Sequence, residues 1–154
     1  MSAVSTASTD WRASSKSWIF AVALLVLTSI HHAYGALVYH SEWRLHVVFV
    51  AIPLAAVIIV MARSRERSWR IYAALLMIIF AVMLIGVFEG GYNHLVKNIV
   101  YFTAGADRTR ALFPPPLYEL PGDAFFELTG IAQFLIAPFA ALGAVRLLRE
   151  AMLL

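Results

Sequence analysis

The 154-residue chain contains no cysteine, which excludes disulfides, thiolate metal ligation and nucleophilic thiol chemistry together. Charge is scarce as well. Only 14% of the residues are Asp, Glu, Lys or Arg against 62% hydrophobic, more apolar surface than a soluble domain of this size can hide. The formal charge of +3 rests on a few clustered arginines and not on a basic face of a soluble module, which argues against nucleic acid as a partner. No internal repeat is visible, so an inverted-repeat transporter is unsupported. The first 16 residues lack the apolar core of a signal peptide. The apolar stretch behind them ends in Thr28, Ser29, His31 and His32 instead of a small-residue cleavage site, so an uncleaved first helix is expected.

What remains is four long apolar stretches, each matching the roughly 20 residues that a bilayer span requires. They predict an all-α integral membrane protein: a four-transmembrane-helix bundle with helices over about 17–40, 43–62, 69–102 and 123–149. A polar tail, 1–16, precedes a single domain, 17–154. Arg63, Arg65, Arg67 and Arg70 crowd the connection between the second and third helices, which places that loop in the cytoplasm by the positive-inside rule. The expected topology is therefore N-in/C-in, with the tail cytoplasmic. The expected location is the cell membrane, as a multi-pass protein, the inner membrane if the source is a Gram-negative bacterium. Trp11, Trp18, Trp43 and Trp69 fall near the helix ends, as an interfacial belt would.

The third stretch is ambiguous. Gly90 and Gly91 either end its helix or lie inside one that runs on to about Phe102. Residues 103–122 form a long proline-rich outer loop between helices three and four. Pro114, Pro115 and Pro116 fix an extended course there, and Phe113, Leu117 and Tyr118 give it an apolar side. Such a loop is either a lid over a pocket or a rigid interfacial anchor. Asp123, behind Pro121 and Gly122, is the expected N-cap of the fourth helix.

In this topology all five histidines collect on the outer, periplasm-facing side, together with six of the nine acids: Glu42, Glu89, Asp107, Glu119, Asp123 and Glu127. Ionisable groups gathered at one depth of a membrane protein point to function. Groups that converge from several helices are how metal sites are built inside bundles. The candidate metal ligands are His31, His32, His46, Glu89 and His94. His31 and His32 point about 100° apart on a regular helix, so one of them is expected to face inward, and His32 is the choice. His40, beside Ser41 and Glu42, reads as a solvated turn residue. Glu89, His94 and Glu127 are the candidate catalytic groups, and Tyr34, Asn93 and Tyr118 the candidate cofactor contacts. Arg44 and Lys97 are cations able to neutralise the acids without any metal.

Imidazole with carboxylate and no thiolate suits copper, iron or zinc. A single haem ranks below an ion, and two haems stacked across the membrane are excluded because no histidine lies toward the inner side. There is no H-E-x-x-H and no pair of Glu-x-x-His motifs. Three functions remain open on these residues. One is a metal-binding protein with an outward His/Glu/Asn pocket, performing redox chemistry on a lipophilic small molecule. The second is a metal-free acid-base enzyme acting on a lipid-like substrate, and the third is a non-catalytic accessory subunit. The partners expected are the lipid bilayer, a lipophilic small molecule, and another membrane protein or a second copy of the chain.

Overall fold

The computed structural model describes residues 16–153, so the tail of residues 1–15 lies outside the described residues. Four helices long and apolar enough to cross a membrane account for nearly all of the described chain. They are α1 (Ile19–Val38), α2 (Leu45–Ala62, entered through a short 3-10 turn at Glu42–Arg44), α3 (Arg67–Leu112) and α4 (Ala124–Met152). Each connection is set by local chemistry. His40, with φ 50°, turns the chain between α1 and α2. The Arg-Ser-Arg-Glu stretch, too polar for either helix, separates α2 from α3. Asp123 caps α4, accepting from the Phe126 amide at 2.8 Å as its place after Pro121 and Gly122 predicts.

α3 resolves the ambiguity at the double glycine. The helix runs straight through Gly90 and Gly91, breaks at Gly105, and a last helical stretch leads on to Leu112. From Met77 to Val96 it is π-helical, its backbone closing i→i+5 instead of i→i+4. Beyond that it is α-helical again, interrupted only at Gly105, whose φ of 82° glycine adopts without steric cost. The outer connection expected from residue 103 thus begins close to the break at Gly105, opens with a short helical stretch and turns irregular at Phe113.

α1 packs against α2 and α4, α2 against the start of α3, and α4 along most of α3, while α1 and α3 also meet across the bundle. Half of the interior is apolar and alanine-rich. Ala21, Leu24, Ala55, Ile58, Ala74, Met77, Ala140 and Ala144 form one cluster at the end marked by Arg63–Arg70. Small side chains let the helices approach closely, the packing that substitutes for a hydrophobic driving force in lipid. Arg70 and Arg146 close that end on Glu150, at 2.6 and 3.1 Å. The other half of the interior is polar. Thr28, Ser29, His31, His32, Arg44, Asn93, His94, Lys97, Glu127 and Gln133 are all buried at the histidine end.

Gly86 and Gly90 set the α3–α4 distance. A Cβ on Gly90 would stand 2.5 Å from the Phe134 amide nitrogen, and one on Gly86 would overlap the Ala137 methyl. Gly86→Leu is therefore expected to destabilise the bundle by roughly 1–3 kcal/mol, the usual cost of overpacking. Thermal unfolding of the detergent-solubilised protein checks this, and an unchanged midpoint would mean that the two helices are not held at this distance.

Candidate metal centre

Glu89 is the focus of the polar half. Its Oε1 lies 3.7 Å from His31 Nε2, 3.4 Å from His32 Nε2 and 3.7 Å from His94 Nε2. One carboxylate oxygen thus faces three imidazole nitrogens delivered by two helices. All three separations exceed the 2.7–3.2 Å of an N–H···O hydrogen bond. The tightest group is His31, Glu89 and His94, whose ligand atoms all lie within 4.8 Å of one another. His32 touches the same oxygen but stands outside that group.

Two of these imidazoles have their tautomers assigned by what lies behind them. His31 Nδ1 is 2.9 Å from Thr129 Oγ1. That hydroxyl has one proton and directs it to the backbone carbonyls of Phe125 and Phe126, at 2.7 and 3.0 Å. With the hydroxyl so directed, His31 Nδ1 donates to it and the neutral ring presents Nε2 to Glu89 as an acceptor. His94 Nδ1 is 2.9 Å from Glu127 Oε2, and a carboxylate can only accept, so here too Nδ1 carries the proton. In its neutral form each ring presents its Nε2 lone pair to the half-buried Glu89 carboxylate, whereas an imidazolium at His94 would lie between the carboxylates of Glu127 and Glu89. His31 Nε2 has no hydrogen-bond partner at all. Such acceptors repel one another unless a cation lies among them. A shared proton would draw donor and acceptor to about 3 Å. Ligands about 2.0–2.1 Å from a tetrahedral ion stand about 3.3–3.4 Å apart, close to what is seen.

The local sequence supplies this geometry by several routes. The π-helical turns put Glu89 and His94, five residues apart, on one face of α3, where regular α-helix would splay them. Gly130 on α4 makes room for the second imidazole, since any Cβ there would overlap the His94 ring. Phe126 stacks on His31 at 4.1 Å between centroids and meets His94 edge-on, fixing both rings. Glu127 is fully engaged, taking His94 Nδ1, Lys97 Nζ at 2.8 Å and Asn98 Nδ2 at 2.6 Å. It orients His94, as a carboxylate behind a metal-bound imidazole does.

The remaining candidates divide. Asn93 donates to the far oxygen of Glu89 at 3.3 Å. Tyr118, on the proline-rich loop, lines a cavity of ≈ 300 Å³ that also opens onto His32, Glu89 and His94. Tyr34 is turned to Asp123, donating to it at 2.9 Å, and does not line that cavity. His46 lies on the cavity rim, stacked on Trp43 with its Nδ1 bonded to the Trp43 carbonyl. It does not join the Glu89 group. Both members of the adjacent pair on α1 are buried, His31 at 0% and His32 at 6% exposed, and His32, the expected inward one, lines the cavity. His40 is exposed, as a turn residue should be. Sequence reasoning missed Thr129 and Asn98, whose roles depend on a partner from a distant helix.

Comparison with known protein families, with curated proteins and with solved structures returned no match.

The Lys97–Glu127 pair gives a direct test of the buried polar scaffold. Removing one partner strands a charge, so Glu127→Leu and Lys97→Met are each expected to cost about 3–5 kcal/mol. The double variant should regain a large part of that loss, because the two groups are coupled. Unfolding free energies in a double-mutant cycle measure this, and additive losses would show that the pair is not coupled.

Proposed function

We propose that this chain is a small integral membrane protein whose function depends on a transition-metal ion held by His31, Glu89 and His94, with His32 in reach as a fourth donor. The observation that carries the reading is the convergence of His31 Nε2 and His94 Nε2 on Glu89 Oε1, each at 3.7 Å and so beyond a hydrogen bond, with Nδ1 of each ring engaged at its back. Two imidazoles and one carboxylate without thiolate are the donor set of non-haem iron and of catalytic zinc sites, and imidazole also suits copper. The ≈ 300 Å³ cavity reaches Glu89 and His94 from one side, which leaves the ion an open position toward a small molecule. Redox chemistry on a lipophilic molecule fits a centre placed between apolar helices.

The site faces outward in this reading. Arg63, Arg65, Arg67, Arg70, Arg146 and Arg149 crowd the opposite end of the bundle, and positively charged connections stay in the cytoplasm. Both ends of the chain then lie inside, and the proline-rich loop roofs the centre from the periplasmic side.

Elemental analysis of the purified protein tests the metal reading. The parent should carry close to one iron, copper or zinc per chain, and Glu89→Gln, His31→Ala and His94→Ala should each lose most of it. Metal affinity in Thr129→Val, which removes only the partner behind His31, should fall about 10- to 100-fold. His40→Ala and His46→Ala should keep the parent's metal. A metal-free parent with an activity that still requires Glu89 and His94 would overturn this assignment in favour of acid-base chemistry.

Topology has its own test in this cysteine-free chain. Of two exposed positions, Ser68→Cys and Asp107→Cys, an impermeant thiol reagent should label only Asp107→Cys in intact cells. Labelling of Ser68→Cys instead would reverse the orientation.

A further inference from the structure

Arg44 is the one charged group in the cavity wall without an adequate partner among the described residues. It is 5% exposed, and its Nε and Nη2 are buried with no hydrogen bond. Its guanidinium is enclosed by aromatic rings, with Tyr39, Trp43 and Phe126 at 5.5, 5.1 and 5.5 Å from its carbon. The only carboxylate near it is Glu119, which comes from the proline-rich loop, is itself partly exposed and stops at 3.6 Å. Glu127 is already saturated by Lys97, His94 and Asn98. Stripping a guanidinium of water without giving it hydrogen bonds costs several kcal/mol, so a buried Arg with two bare nitrogens points to an anion that is brought in from outside.

The cavity has a second feature that fits the first. From its rim at His46, Val47, Leu84 and Ile85 a further apolar slot of ≈ 150 Å³ runs between α2 and α3 along Leu25, Val50, Ala51, Leu54 and Phe80. Val50 and Leu84 are more than half exposed on the bundle surface, so the slot opens sideways, toward lipid in a membrane. A polar chamber with one unsatisfied cation thus continues into an apolar trough.

We infer that the cavity binds a long-chain carboxylate, its head group paired with Arg44 and its hydrocarbon chain laid in the slot between α2 and α3. Arginine's planar fork matches a carboxylate bidentately. Glu119 is the carboxylate that faces Arg44, at 3.6 Å, so an incoming carboxylate replaces it like for like. A phosphate head would add a second negative charge to a chamber that already holds Glu89 and Glu127, and is disfavoured for that reason. The head at Arg44 sets the first part of the chain beside His32, Glu89 and His94, the residues to which the open side of the metal centre is assigned. The inference rests on this cavity being the functional pocket, and it does not need the ion.

The test is equilibrium binding of radiolabelled palmitate to the full-length protein in detergent, before and after chelator treatment, with hexadecanol and hexadecyl phosphate as comparison ligands. Palmitate is expected to bind one per chain, and hexadecanol at least about tenfold more weakly, since it lacks the charge-assisted contact. Arg44→Gln should bring palmitate down to the level of hexadecanol without changing hexadecanol itself, which also reports that the variant is folded. Arg44→Lys should retain an intermediate affinity. Glu119→Gln should tighten palmitate binding by removing its competitor, and Leu84→Trp should weaken palmitate and hexadecanol alike by filling the slot. Binding should survive removal of any metal, so that a failure of the metal reading leaves this result standing. Equal binding of palmitate and hexadecanol, tighter binding of hexadecyl phosphate, indifference to Arg44→Gln, or loss of palmitate with the metal would each overturn the inference.

Discussion

Two imidazole nitrogens and a carboxylate oxygen meet at the inner wall of the cavity, and the polar half of the bundle is arranged around that meeting. In water such an encounter would be trivial, because solvent would supply the missing donors. Between apolar helices it is costly, since the effective dielectric is low and an unsatisfied acceptor keeps its full desolvation penalty. Thr129 and Glu127 hold the two rings in this orientation. Each engages the far nitrogen of its histidine at 2.9 Å, so turning either ring away from Glu89 would break a hydrogen bond between the helices.

The rest of the fold keeps those groups in place. The alanine-rich half brings the four helices close and fixes their relative heights, which is what allows side chains from α1, α3 and α4 to converge. Gly130 and Gly90 then remove the two Cβ atoms that would hold α3 and α4 apart at the level of the site. Lys97 offsets the charge of Glu127, so the group that orients His94 does not itself become a buried, unpaired anion. Arg44 breaks this pattern. It is as deeply buried as Lys97 but has only a distant, partly exposed partner, and the cavity next to it is where the protein has room for something else.

The architecture was legible in the sequence because bilayer spans are a strong, local signal: four apolar stretches of the right length mark the four helices, and Pro-Gly-Asp marks the start of α4. The end of α3 was legible to within a few residues, since the helix expected to about Phe102 breaks at Gly105, and only the short helical stretch beyond it, polar in sequence, was read as loop. The site was half legible. Histidines and acids of one depth could be found by position, and Glu89 and His94 stand among them. Their pairing could not be found by the α-helical i+4 rule, which matches Glu89 with Asn93 and Gly90 with His94, because the π-helical turns shift the matching face by one residue. His32, the expected inward residue of the adjacent pair, does face Glu89 at 3.4 Å, but His31 faces it too. Adjacent residues on α1 both reach Glu89, and it is the packing of Phe126 and Thr129 from α4, invisible in the local sequence, that makes His31 the more enclosed. His46 shares the depth of the cluster, yet the 3-10 turn at Glu42–Arg44 folds it back onto Trp43.

A metal in this position accounts for the convergent Nε2 atoms, the oriented imidazoles and the adjoining chamber with a single assumption. X-ray absorption spectroscopy at the edge of the metal that copurifies, or that is reconstituted into the purified protein, tests it most directly. The account predicts at least two imidazole nitrogens, recognisable by ring multiple scattering, together with a carboxylate oxygen, all at about 2.0–2.2 Å, and a loss of one imidazole in both His31→Ala and His94→Ala. A spectrum of oxygen donors alone, unchanged in those two variants, would contradict it.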